Sequence, residues 1–133
     1  MGLSSTHIEL VRAITAWVGN NCSADECAAM LIDLPEISSA NKPVAIEGYI
    51  PDVYIKLGRR IIGEAKTRND IETIHSREQY AGYLKHLRMY ENSVLLIAVP
   101  WYSVPQARSL IRRIQRIHDA MEVNSIFIEK LPG

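Results

Sequence analysis

Gly58 separates two short runs of strand formers, Val53-Tyr54-Ile55 and Ile61-Ile62, and this constrains the fold more than any other feature of the chain. A glycine between such runs marks the tip of a β-hairpin. In a hairpin symmetric about Gly58, residues equidistant from it lie opposite each other, so Asp52 faces Glu64. Directly opposed side chains on one face of an antiparallel pair have Cβ atoms about 5 Å apart. Because side chains alternate faces along a strand, Lys66 emerges beside Glu64, and Ala65 points to the other side.

Two carboxylates and one ammonium are therefore expected to converge. Carboxylates that close repel each other in a partly buried site, so the pair should either raise one pKa or recruit a divalent cation. Recruitment predicts Asp52 and Glu64 as ligands of Mg2+, which would acidify a bound water and neutralise phosphoryl charge. Lys66 would orient that water and offset charge in the transition state.

The pairing of Pro51-Asp52 with Glu64-Ala65-Lys66 resembles the PD-(D/E)xK nuclease superfamily. Downstream, Gln79 and Tyr83 in Ser76-Arg77-Glu78-Gln79-Tyr80-Ala81-Gly82-Tyr83 match the Q-x-x-x-Y element of RecB-like nucleases. Residues 48–52 and 76–79 also resemble the virus-type replication-repair nuclease (VRR-NUC) pattern. Four residues apart on one helix face, Gln79 and Tyr83 can point together at the hairpin. The resemblance implies a restriction-endonuclease-like αβββαβ core, a small mixed sheet flanked by helices. It also implies Mg2+ as cofactor, with Mn2+ able to substitute, and an acidic residue from the first helix. Glu9 is the candidate for that third catalytic and metal-binding role.

Each residue also has a plainer reading. Pro51-Asp52 can open a strand, and Glu64 with Lys66 can be a solvated strand face. Thr6-His7-Ile8-Glu9 fits a capping box in which Glu9 serves the helix start. Gln79 can be an exposed helical residue, and Tyr83 a core aromatic with its hydroxyl at the rim.

At 133 residues, with 47% hydrophobic and 23% charged side chains, the chain suits one domain over residues 1–133. Its longest apolar stretch, Val94-Leu95-Leu96-Ile97-Ala98-Val99, is too short for a bilayer, and no signal pattern opens the chain, so a cytoplasmic location is expected. Cys22 and Cys27 lack a zinc-site spacing and read as reduced thiols. His7, His75, His86 and His118 are scattered and read as surface or loop residues, with His86 able to follow Gln79 and Tyr83 around one helix face toward substrate.

The periodicities predict a helix over 5–18 with Ile8, Val11, Ile14, Ala16 and Trp17 as its apolar stripe, then a short helix after Ser23 begun by a Ser23/Glu26 capping box. A strand over 44–47 follows, then the two hairpin strands, a polar loop over 69–75 and the Gln79 helix. A buried strand over 93–99, a helix over 104–121 burying Leu110, Ile114, Ile117 and Met121, and a last strand over 124–130 complete the order.

The 15 basic and 15 acidic residues cancel overall, but residues 1–51 carry net −4 and residues 52–133 net +4. That asymmetry favours a polyanionic partner, with Arg68, Tyr83 and Lys85 as candidate nucleic-acid contacts. Arg108, Arg112 and Arg116 form a basic helix face that reads equally as a phosphate contact or a solvated surface. DNA is the partner the resemblance implies, and a small chain acting on two strands suggests a homodimer, in the manner of a Holliday junction resolvase. The expected activity is a Mg2+-dependent DNA endonuclease. The alternative is a catalytically silent nucleic-acid-binding accessory module of a repair, restriction or mobile-element complex.

Overall fold

The computed structural model describes residues 4–131 and is an α/β fold around a five-stranded mixed sheet. In chain order the elements are α1 (Ser5–Asn21), α2 (Ala24–Ala28), β1 (Leu31–Ile32), β2 (Val53–Leu57), β3 (Arg59–Ala65), α3 (Ile74–Leu87), β4 (Val94–Pro100), α4 (Val104–Ile117) and β5 (Asn124–Lys130). The strands lie side by side in sequence order. β2 pairs antiparallel with β1 on one side and β3 on the other, and β3, β4 and β5 are parallel.

The hairpin has the expected register. Val53 pairs with Gly63, Tyr54 with Ile62 and Leu57 with Arg59, and Gly58 turns the chain at φ 70°, a conformation that costs glycine little. Strand alternation then separates two apolar layers. On one face Val53, Ile55, Ile61, Ala65, Leu96 and Ala98 pack against Leu10, Val11, Ile14 and Val18 of α1. On the other, Tyr54, Ile62, Leu95, Ile97 and Val99 pack against α3 and α4. The parallel connections through α3 and α4 bring the C-terminal ends of β3, β4 and β5 to one edge, which is where open α/β sheets commonly place ligands.

Gly63 sets how closely α1 approaches. A Cβ at this position would stand 2.8 Å from Ile14 Cγ2 and 3.1 Å from Val53 Cβ. The absent side chain lets Ile14 seat directly on β3.

The structure corrects several expected elements. Residues 44–47 form no strand: Ile46 and Tyr49 bridge across a tight turn in which Glu47 and Gly48 have φ of 53° and 86°. The third antiparallel strand is β1, whose two residues carry too little periodicity to be read. The Thr6/Glu9 capping box is absent, since Ser4 is the N-cap and its hydroxyl accepts from His7 N. α1 also continues beyond the expected end at 18, through Gly19 and Asn20 to Asn21. Its buried stripe includes Leu10 and Val18, whereas Ala16 is exposed. α4 ends at Ile117, so Ile117 and Met121 are exposed rather than core. The Ser23/Glu26 capping box does form, and Glu26 also receives two hydrogen bonds from Arg59, which hold its carboxyl below the usual range. Cys22 and Cys27 are free thiols. Among the described residues no helix is long and apolar enough to cross a membrane.

Candidate functional site

β3 carries Glu64 toward the α3 side, and the chain leaving the strand brings Lys66 beside it, while Ala65 sinks into the α1 layer. Lys66 Nζ lies 3.6 Å from Glu64 Oε2. From the second turn of α3, Gln79 addresses both groups. Its Oε1 accepts from Lys66 Nζ at 2.6 Å, and its Nε2 donates to Glu64 Oε2 at 3.3 Å. One turn later, Tyr83 donates its hydroxyl to Glu64 Oε1 at 3.2 Å and accepts from Gln79 Nε2 at 3.1 Å. Helical spacing of four residues produces this shared direction.

Asp52 precedes β2 at the same edge. Its Oδ2 accepts from the backbone N–H of Ala65 at 2.8 Å, and its Oδ1 lies 3.2 Å from His7 Nε2. Asp52, Glu64, Lys66 and Gln79 are all buried, at 6%, 4%, 9% and 6% exposure. Isolated charges would not be tolerated at such depth, and here each is met by a donor, an acceptor or an opposite charge.

Electrostatics follows from that burial. Glu64 is pushed well above the ordinary carboxylate range, first by loss of solvent and then by the negative charge of Asp52, with Lys66 opposing both. This is the repulsion anticipated for two carboxylates across the hairpin. The hydrogen bond to Asp52 raises His7, against the opposing effect of burial. Burial likewise pushes the phenols of Tyr80 and Tyr83 up, so both remain hydrogen-bond donors throughout the neutral range.

The remaining candidates are placed differently. Tyr83 is fully buried and its hydroxyl is engaged inside the site, so it positions Glu64 and offers no surface for nucleic acid. Glu9 is exposed and lines a groove with Thr6, Trp101 and Tyr102, about 200° around α1 from His7. Arg68 is exposed just past Lys66, with its guanidinium 5.8 Å from the centre of the Tyr102 ring. Lys85 is exposed on another face of α3, alongside Tyr49, Arg77 and Ile117. His86 contacts Tyr54 at 3.0 Å, not Glu64.

His7 is the site residue that the sequence reading missed. Its signal was present in the helical period: His7, Val11, Ile14 and Val18 follow one stripe, so the buried face of α1 points the imidazole at the sheet edge.

Among the described residues no group of three or more His, Cys, Asp and Glu side chains has the arrangement of a metal site. The protein donors at this edge are two carboxylates, a set that suits a hard cation completing its coordination with water and substrate oxygen. Glu64 accepts one side-chain hydrogen bond on Oε2, from Gln79, and one on Oε1, from Tyr83, with the Lys66 ammonium at ion-pair distance, leaving acceptor capacity in a group with about four lone-pair directions. Comparison with protein-family models, curated proteins and solved structures gave no match.

Proposed function

We propose that this chain is a metal-dependent nuclease of the PD-(D/E)xK type, with a restriction-endonuclease-like core, hydrolysing phosphodiester bonds in DNA. The observation that carries the reading is the buried quartet of Asp52, Glu64, Lys66 and Gln79 at the C-terminal edge of β3. Burying charged groups costs several kcal/mol per ion even after relaxation (about that order). Buried, mutually paired ionisable groups at the C-terminal end of the central strand are the kind that functional sites retain, and phosphodiester hydrolysis uses these groups.

Asp52 and Glu64 would hold Mg2+ or Mn2+, which suit hard oxygen donors. When bound, the ion supplies Lewis-acid activation of water and of the phosphoryl group. The chain's own residues do the rest. Tyr83 and Gln79 hold Glu64 in one orientation, and Ala65 N with His7 holds Asp52. Gln79 fixes one direction of the Lys66 ammonium through its amide oxygen. The two remaining donors of that ammonium are available to a phosphate oxygen or the attacking water, where they offset charge that develops in the transition state. A homodimer belongs to the same reading, since twofold pairing would set two such sites on two strands.

The test incubates the protein and Lys66→Ala with end-labelled single-stranded, duplex, flapped and four-way-junction DNA, with Mg2+, Mn2+ or chelator. Cutting that requires the ion and falls about a hundredfold to a thousandfold in the variant is expected. Binding without cutting under every condition would replace the enzyme with a silent nucleic-acid-binding module.

A further inference from the structure

The turn that follows β4 exposes two large aromatic side chains, Trp101 at 48% and Tyr102 at 53%. They stand beside the candidate site. Lys66 N donates to Ala98 O, and Trp101 begins three residues beyond Ala98, roughly 10 Å further along the strand direction. The first turn of α1 walls both places: His7 touches Asp52, and Thr6 lines a groove of about 200 Å³ with Glu9, Leu10, Trp101, Tyr102 and Lys130.

We propose that Trp101 and Tyr102 form a stacking platform for an unpaired nucleobase, so the substrate is single-stranded or splayed next to the scissile phosphate. The choice of ligand rests on the nuclease reading. The two rings meet edge to face, with centroids 5.6 Å apart and planes at 85°. An edge-to-face contact occupies a face of only one of the two rings, so each ring keeps at least one face clear of the other. A base within a duplex has its own faces covered by neighbours, whereas an unpaired base can lie on an aromatic ring whatever its identity. Charge is arranged for the same occupant. Arg68, near the Tyr102 ring, and Lys130 offer cations to the backbone. The carboxylate of Glu9 disfavours phosphate within the groove, which leaves the groove to the base and its margin to the sugar-phosphate chain. The opposite edge of the sheet has no part in this arrangement.

The test uses Trp101 as its own reporter. Trp17 and Trp101 are the two tryptophans of the chain, so Trp17→Phe leaves Trp101 alone, and Lys66→Ala in the same protein prevents cutting. A short oligothymidylate should quench Trp101 fluorescence, and a blunt duplex of the same length should not. Trp101→Ala with Tyr102→Ala should lower single-strand affinity tenfold or more, the size expected when stacking is lost (about tenfold per ring). Trp101→Phe with Tyr102→Phe should restore most of it. Unchanged single-strand affinity in the double alanine variant would overturn the platform, as would equal quenching by blunt duplex. Quenching that tracks protein concentration without any DNA would overturn it too, by assigning the rings to contact between copies of the chain. Metal-dependent cutting insensitive to both alanines would remove the platform and leave the nuclease. Quenching and affinity loss in a protein that cuts nothing would do the reverse.

Discussion

Lys66 Nζ donates to Gln79 Oε1 at 2.6 Å, joining the end of β3 to the second turn of α3. The same amide donates to Glu64 and Tyr83, so one uncharged side chain holds the base, the acid and the phenol of the site in register.

Gln79→Ala should therefore act through its neighbours. It frees the Lys66 ammonium and removes a donor from Glu64, so cleavage should fall about tenfold to a hundredfold, as for groups that orient ligand residues. A Mg2+ titration of rate checks this. The concentration for half-maximal cutting should rise, because Glu64 loses part of its orientation; a change in rate at unchanged Mg2+ dependence would assign Gln79 to Lys66 alone.

Glu64 makes stability depend on pH. Its carboxyl is raised above the ordinary value of 4.5 by burial and by Asp52. For a group whose folded pKa exceeds its unfolded one, the stabilisation is complete below the unfolded value and is lost as pH rises through the folded value. In chelator, the melting temperature should fall as pH rises from about 4.5 upward, and Glu64→Gln should flatten that fall. His7, raised above 6.5 by Asp52, has the same sign in a window that begins higher. Adding Mg2+ should stabilise the wild type more at high pH than at low, because the ion competes with the proton for Glu64. Calorimetry across the pH range with both proteins measures each part.

Gly63→Ala should destabilise the fold without touching the polar quartet. The added methyl meets Ile14 Cγ2 at 2.8 Å and Val53 Cβ at 3.1 Å, both on β-branched side chains close to their backbones. Overpacking of this kind costs about 1–3 kcal/mol. Denaturant unfolding of Gly63→Ala, Ile14→Ala, which removes the clashing Cγ2, and the double variant should show coupling, with the double variant less unstable than the sum of the singles.

On α1, His7→Ala should lower cutting more than Glu9→Ala. His7 contacts Asp52, whereas Glu9 faces the Trp101 groove. Single-turnover rates on single-stranded DNA compare the two. A larger loss in Glu9→Ala would return the acidic residue to the catalytic role that the family resemblance implies for it.

Much of the site was legible because strand and helix periods are local. Gly58 and the flanking β-formers determined the hairpin register, which placed Glu64 and Lys66 together and turned Ala65 away, and a spacing of four determined that Gln79 and Tyr83 share a direction. What lies beyond those periods depended on packing. β1 has two residues and exists through its pairing with β2; residues 44–47 give up the strand for a turn held by Glu47 and Gly48 at positive φ. His7 became part of the site, and Glu9 did not contact Asp52, because Ile14 settles on Gly63 and so sets the rotation of α1 over the sheet. The sequence alone determined which groups could meet within a hairpin or along one helix, where covalent spacing restricts the choices. Which helix face meets which strand was decided by close packing in the tertiary structure, since a missing Cβ can select one docking from several that the same apolar stripe allows.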